Sequence, residues 1–184
     1  VLADKLLKFV EMKTTDDQGL VTFENLEYGN YAVKETKSPV GYNLNQETQM
    51  FEIREQGKIL TTSVTNVMIR GNLQVTKSST DGILLEGAEF TIYARADEKL
   101  LHPLAVATTN NEGLATFSRI AYGDYWLVET KAPEGYLLGE SIKEIKVREE
   151  AVTIEESFQN ERILGNIEIL KNSEDETKLK DTEF

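Results

Sequence analysis

Cysteine is absent from this 184-residue chain and histidine occurs once. Neither a disulfide framework nor a thiolate or imidazole metal centre is therefore available. No apolar run approaches the roughly 20 residues that a membrane-spanning helix needs. The sequence opens without a signal peptide, which reads as a mature or excised segment. Lysine and arginine number 20 against 32 acidic residues, for a net charge of -12. They form no basic cluster beside aromatics, which argues against nucleic acid as a partner. No cofactor-binding motif stands out. An extracellular domain of this size without cysteine would need some other staple.

What is present describes a folded chain of about two modest domains, 40% hydrophobic and 28% charged. Short runs rich in Val, Ile, Thr, Tyr and Phe alternate with polar residues. Turn signals recur at Asp17-Gln18-Gly19, Tyr28-Gly29-Asn30, Asp81-Gly82, Asn111-Glu112-Gly113 and Tyr122-Gly123-Asp124. Apart from one possible helical turn over Ala3 to Glu11, no helical period appears, and an all-β sandwich is expected.

The sequence also repeats. Tyr31 to Tyr42 reads YAVKETKSPVGY and Tyr125 to Tyr136 reads YWLVETKAPEGY, at an offset of 94 (Tyr31 to Tyr125). At the same offset and without a gap, Asn66 matches Asn160, Gly71 matches Gly165, Lys77 matches Lys171 and Phe90 matches Phe184. A period this long suits a string of small independent domains rather than a solenoid. Residues 71–164 form one complete unit, from GNLQVTKSS to IEESFQN. Residues 1–70 form a unit without this opening strand. Residues 165–184 supply an opening strand, GNIEILKNS, and then LKDTEF, matching LLEGAEF. Two arrangements follow: the tail strand of one molecule fills the gap in another, or the segment is one tile of a longer tandem chain in which Phe184 runs on into Val1.

Alternation assigns side chains to faces. Leu73, Val75 and Lys77 share one face, as do Ile167, Ile169 and Lys171. Tyr125, Leu127 and Glu129 share parity, as do Tyr31, Val33 and Glu35. In the closing strand Val152, Ile154, Phe158 and Asn160 fall together, with Glu156 as an exception; Leu60, Val64 and Asn66 repeat this in the first unit. A lysine, a glutamate and an asparagine thus lie on a core face. Burying any one alone costs several kcal/mol, so they should meet one another. One reading is a satisfied polar cluster. The other is covalent: a desolvated lysine is a neutral nucleophile, and a protonated glutamate polarises the asparagine amide and moves protons to departing ammonia.

YWLVETKAPEGY resembles the E-box of the Cna B-type, or SpaA-like, domains of Gram-positive surface adhesins and pilins, with a lysine in a leading GxLxVxK-like strand and an asparagine in the closing strand. The resemblance implies tandem prealbumin-like Greek-key β-sandwiches and a self-generated lysine–asparagine isopeptide bond. Carried over, Lys77 is the nucleophile, Asn160 the acyl donor and Glu129 the acid/base. In the first copy Val33 and Ser38 depart from the motif. Glu35 and Asn66 lack a preceding lysine, because Lys5, Lys8 and Lys13 fall after the expected strand. Lys171 is the homologous lysine, expected to serve that unit in trans or through chain continuity. The implied role is a stalk of a cell-surface pilin or wall-anchored adhesin, extracellular and non-enzymatic beyond the single self-directed bond. Its expected partners are neighbouring domains of the same or another copy. Adhesion to a host matrix protein or glycan through loops is the alternative.

Other constellations are weaker. The many carboxylates sit mostly at solvent-facing strand positions, as a solvated surface does, rather than as a glycosidase pair. Asp16-Asp17-Gln18-Gly19 reads as a hairpin turn more readily than a calcium loop, since EF-hand spacing is missing. His102 beside Pro103 reads as a loop residue. Trp126 and Val128 face away from the core and would form at most a small contact patch.

Overall fold

Residues 8–139 and 142–184 are described in the computed structural model. The chain divides into two compact units, Val1–Val67 and Met68–Phe184. In the second unit the expected alternation appears directly. Strand β3 (Arg70–Ser79) is buried at every second residue, with Leu73, Val75 and Lys77 inward. It is the central strand of a three-stranded sheet, flanked by β6 (Leu114–Ala121) and β9 (Thr153–Asn160). Its pairing with β6 is antiparallel and with β9 parallel. The opposing sheet has the order β5 (Pro103–Thr108), β4 (Glu89–Ala94), β7 (Gly123–Lys131) and β8 (Ile142–Val147). Between the sheets lie Leu73, Val75, Phe90, Ile92, Phe117, Leu127, Ile145 and Phe158. The two inner faces interdigitate, as expected of a sandwich.

The first unit is built from the same sequence pattern but carries a single ladder among the described residues. Strands β1 (Gly29–Lys34) and β2 (Thr48–Ile53) pair antiparallel, Gly29 opposite Ile53, in the register that Gly123 and Val147 adopt in the complete copy. The closing strand expected around Leu60, Val64 and Asn66 is not formed; residues 58–67 are irregular, as are residues 20–27, which correspond to β6. Both segments match strands that pair with β3 in the second unit, and no counterpart of β3 lies beside them among the described residues of the first. Among residues 8–67 only Gly41 is buried.

Local features survive in both copies. Tyr31 donates to the Glu27 carbonyl at 2.9 Å and Tyr125 to the Ala121 carbonyl at 2.8 Å. Arg54 donates to the Gly29 carbonyl and stacks on Tyr28, as Arg148 does on the Gly123 carbonyl and Tyr122. The Asp16 carboxylate accepts from the Gln18 and Leu20 amides, closing a turn. Of the segment read as a possible helical turn, Ala3 to Leu7 lie outside the described residues, as does Lys5, and Lys8 to Glu11 are irregular.

From Gly165 to Phe184 every residue except Ser173 is exposed. The segment nevertheless holds a local turn, with Asn172 and Lys178 bridged.

Candidate functional site

Three elements of the second unit bring Lys77, Glu129 and Asn160 together inside the sandwich. Lys77 lies late in β3, Asn160 ends the neighbouring β9, and Glu129 enters from β7 across the core. Parallel pairing sets Lys77 opposite Phe158 and Ser79 opposite Asn160. The lysine therefore starts two residues short of the asparagine's level, and its long side chain spans the difference. Phe90 stands opposite Glu129 on β4, and its ring packs 4.9 Å from that of Phe158. The polar group is thus enclosed by aromatic and aliphatic side chains.

Lys77 is 0% exposed, Glu129 3% and Asn160 2%. Lys77 Nζ lies 3.6 Å from Glu129 Oε1, and Asn160 Nδ2 donates to that same oxygen at 2.8 Å. One carboxylate oxygen therefore touches both the amine and the amide. Desolvation pulls the Lys77 pKa down despite the attraction of Glu129. Desolvation pushes the Glu129 pKa up, against the hydrogen bond from Asn160 and the attraction of Lys77. Both shifts favour the uncharged partners, an amine with a free lone pair and a carboxylic acid with a proton to give. Lys77 Nζ, Glu129 Oε2 and Asn160 Oδ1 are buried without a hydrogen bond. Each such atom costs about 1–3 kcal/mol in a folded interior.

Lys77 is placed by a close backbone approach that motif reading passes over. Its amide donates to the Gly113 carbonyl at 2.7 Å. Gly113 has φ +70°, and a Cβ there would stand 2.6 Å from the Lys77 carbonyl oxygen. Only glycine fits that position without displacing the lysine strand. The sequence signal was the Asn111-Glu112-Gly113 turn, legible as a turn but not as a lysine support. Glu156, the parity exception, is met by Lys143 at 2.7 Å.

In the first unit Asn66 Nδ2 donates to Glu35 Oε2 at 2.7 Å, reproducing the Asn160–Glu129 contact. Asn66 also donates to the Asn43 carbonyl, and the Asn45 amide donates to Glu35 Oε2 at 2.6 Å. Both residues are half-buried. Lys171 is exposed, and its Nζ bonds the Asn172 carbonyl at 3.2 Å. Elsewhere, His102 lies 3.4 Å from Asp97 at the surface. Trp126 is half-buried beneath Arg95, whose guanidinium sits 5.2 Å from the ring centroid.

The family profile described as the SpaA prealbumin-like fold domain matches twice, at residues 3–68 and 71–162. The chain belongs to this family. Among solved structures, the SpaA-type chain is similar to the Bacillus anthracis TIE protein, at 30% identity and a TM-score of 0.74. The match covers 81% of this chain and 28% of that one. The C-terminal fragment of the pilus adhesin SpaC from Lactobacillus rhamnosus GG aligns at 19% identity and a TM-score of 0.51, covering 79% of this chain and 80% of that one. BcpA, the major pilin subunit of Bacillus cereus, aligns at 22% identity and a TM-score of 0.47, over 71% of this chain and 41% of that one. No curated relative matches the sequence. The SpaA-type chain thus spans little more than a quarter of the TIE protein. The expected all-β, prealbumin-like fold and the tandem arrangement agree with the two profile matches.

Proposed function

We propose that the chain is a stalk segment of a Gram-positive surface protein, outside the cell, whose complete unit is locked by a Lys77–Asn160 isopeptide bond made with the help of Glu129. The observation that carries this reading is the sealed contact of amine, acid and amide on one carboxylate oxygen. Family membership supports it.

The step balances without a co-reactant. Uncharged Lys77 Nζ attacks Asn160 Cγ, and the protonated Glu129 carboxyl hydrogen-bonds and polarises the amide. The proton shed by Nζ reaches the departing nitrogen through Glu129. The Cγ–Nδ2 bond breaks, ammonia leaves, and Glu129 keeps its proton. Confinement in the core supplies effective molarity that free amides lack. The product also relieves the unpartnered atoms: the new N–H donates to the carboxyl, and the new C=O accepts from it.

Such a bond joins the first and last strands of the unit and closes a loop of about 80 residues, worth roughly 4–5 kcal/mol by analogy with a disulfide of that size. Tension entering along β3 crosses to the end of β9 at Lys77 and bypasses the intervening strands. A chain without cysteine thereby gains a covalent staple. Single-molecule pulling tests the role. The expected result is that residues 78–159 add no length under force in the wild type and do so in Lys77→Ala. Release of that length in the wild type would overturn the stalk mechanism.

A further inference from the structure

On one flank of the second unit both sheets end in an unpaired strand. Strand β5 closes the four-stranded sheet and β6 the three-stranded one. Between them runs a cleft of about 450 Å³, whose walls include Ile92, Leu104, Ala105, Phe117, Arg119 and Tyr125. The inner face of β5 explains the opening. Ala105 stands opposite Ile92 and Ala107 opposite Phe90, both core residues, so the two alanines point into the sandwich. Their methyl groups reach little beyond the backbone, and the flank stays open. The other flank is shut, because Lys143 of β8 reaches Glu156 of β9 at 2.7 Å and the Ser157 carbonyl at 2.8 Å.

A free edge strand presents unpaired amides and carbonyls, and proteins usually blunt such an edge with charge. Strand β5 has no charged residue, and Pro103 withholds an amide only at its first position. Leu104 is 58% and Val106 55% exposed. At the repeat offset the first copy reads FVEMKT, with Glu11 and Lys13 in place of Ala105 and Ala107.

Across the cleft Arg119 holds φ +57°, a left-handed backbone that arginine disfavours. Its amide donates to Asn72 Oδ1 at 3.0 Å and its carbonyl accepts from Arg70 Nη1 at 3.1 Å, which fixes the backbone there. The first copy has Asn25 at this place with φ 56°, a residue better suited to that conformation. Arg54, Arg95, Arg148 and Arg162 each meet a carboxylate. The exposed Arg119 guanidinium has no hydrogen bond, ion pair or ring contact among the described residues. In a chain of net charge -12, an unpaired cation facing a bare, uncharged edge fits a carboxylate from outside.

We propose that β5 takes an extended segment of a partner protein as an added strand, with apolar side chains in the cleft and a carboxylate on Arg119. A strand added to β5 widens the larger sheet, so its inner side chains face β6, the strand that carries Arg119. Apolar residues at alternate positions of the guest enter the cleft, and an acidic residue of the same parity meets the guanidinium. The first copy has neither the uncharged edge nor the arginine at the matching positions, so the surface is specific to the second unit.

Titrating the full chain with the end-blocked peptide TVTETVT, followed by NMR and amide hydrogen exchange, tests this. The expected result is protection of the Leu104–Thr108 amides and a shift of the Arg119 Nε–H signal. The peptide TVTQTVT should bind about fivefold more weakly, the worth of one partly exposed charge pair. Arg119→Asn puts the first copy's residue on a backbone that suits it, so folding is retained. This variant should bind both peptides only as well as the wild type binds TVTQTVT. Ala105→Glu sets a charge on the inner face of the edge and should abolish binding. No protection of β5 at millimolar peptide overturns the proposal, as does equal binding of the two peptides by the wild type. Undiminished binding of TVTETVT by Arg119→Asn overturns it too. So does a wild-type dimer formed through β5 and lost in Ala105→Glu, because the occupant would then be a second copy.

Discussion

The two copies hold the same glutamate–asparagine contact, at 2.7 Å between Asn66 and Glu35 and 2.8 Å between Asn160 and Glu129. Among the described residues only the second has a core around it, and only the second has a central strand. With β3 in place, ladders form on both sides, Leu73 and Val75 are sealed, and desolvation pushes the lysine and glutamate toward their uncharged forms. Without its counterpart the first unit keeps the β1–β2 hairpin, the tyrosine hydrogen bond and the arginine stack, all of which are local. The carboxyl–amide contact is therefore a property of the E-box and the closing segment. The desolvation that favours the uncharged lysine and glutamate is a property of the completed sandwich.

The largest effect expected from breaking this contrast is in the complete unit. Glu129→Ala removes the group on which amine and amide converge, so the bond should not form. Losing about 4 kcal/mol of loop restriction in a domain of this size lowers the melting temperature on the order of 20 °C, which calorimetry will show. Conversely, residues 165–184 fused directly ahead of Val1 are expected to act as a central strand for the first unit within one chain. The fused monomer should lose one ammonia more than the unfused monomer, and amides in residues 20–27 and 59–66 should gain protection from hydrogen exchange. No change in either would mean that the missing strand is not what separates the copies.

Acidity sharpens the comparison further. In an unreacted Asn160→Ala chain, the raised Glu129 pKa contributes stability that is complete below the ordinary value of 4.5 and is lost as pH rises toward the folded value. The lowered Lys77 pKa contributes stability that is complete above 10.5 and is lost as pH falls toward its folded value. The complete unit of this variant should be least stable between these limits and gain toward both. With the proposed bond in place the wild-type lysine nitrogen is an amide, and the alkaline gain should vanish. Denaturant midpoints at acid, neutral and alkaline pH measure both profiles. The smallest effect belongs to Glu35→Ala in the wild-type monomer. A half-buried hydrogen bond is worth about 1 kcal/mol, so thermal unfolding of the first unit should shift only slightly.

Much of this was legible beforehand because β alternation is a strict rule where one face is sealed. The parity of Leu73, Val75 and Lys77, and that of Leu127 and Glu129, carried over to burial unchanged. Glu156 broke the pattern because Lys143 reaches it from β8 of the opposing sheet, a partner that spacing within one strand does not reveal. The closing strand expected at Leu60, Val64 and Asn66 is absent among the described residues. Sequence pattern gives strand propensity, but a ladder needs a neighbour, and the parallel pairing of β3 with β9 links residues about 80 positions apart. Gly113 was legible as a turn residue only. Its role beneath the lysine strand depends on a contact between non-adjacent elements.

The most direct measurement of the central claim is the intact mass of the purified monomer under denaturing conditions, wild type beside Glu129→Ala. The expected result is a wild-type monomer lighter than its sequence by one ammonia, a linked peptide pair containing Lys77 and Asn160, and a variant at full mass. A wild-type monomer at full mass would contradict it, leaving Lys77, Glu129 and Asn160 as a buried polar cluster in an unlinked sandwich.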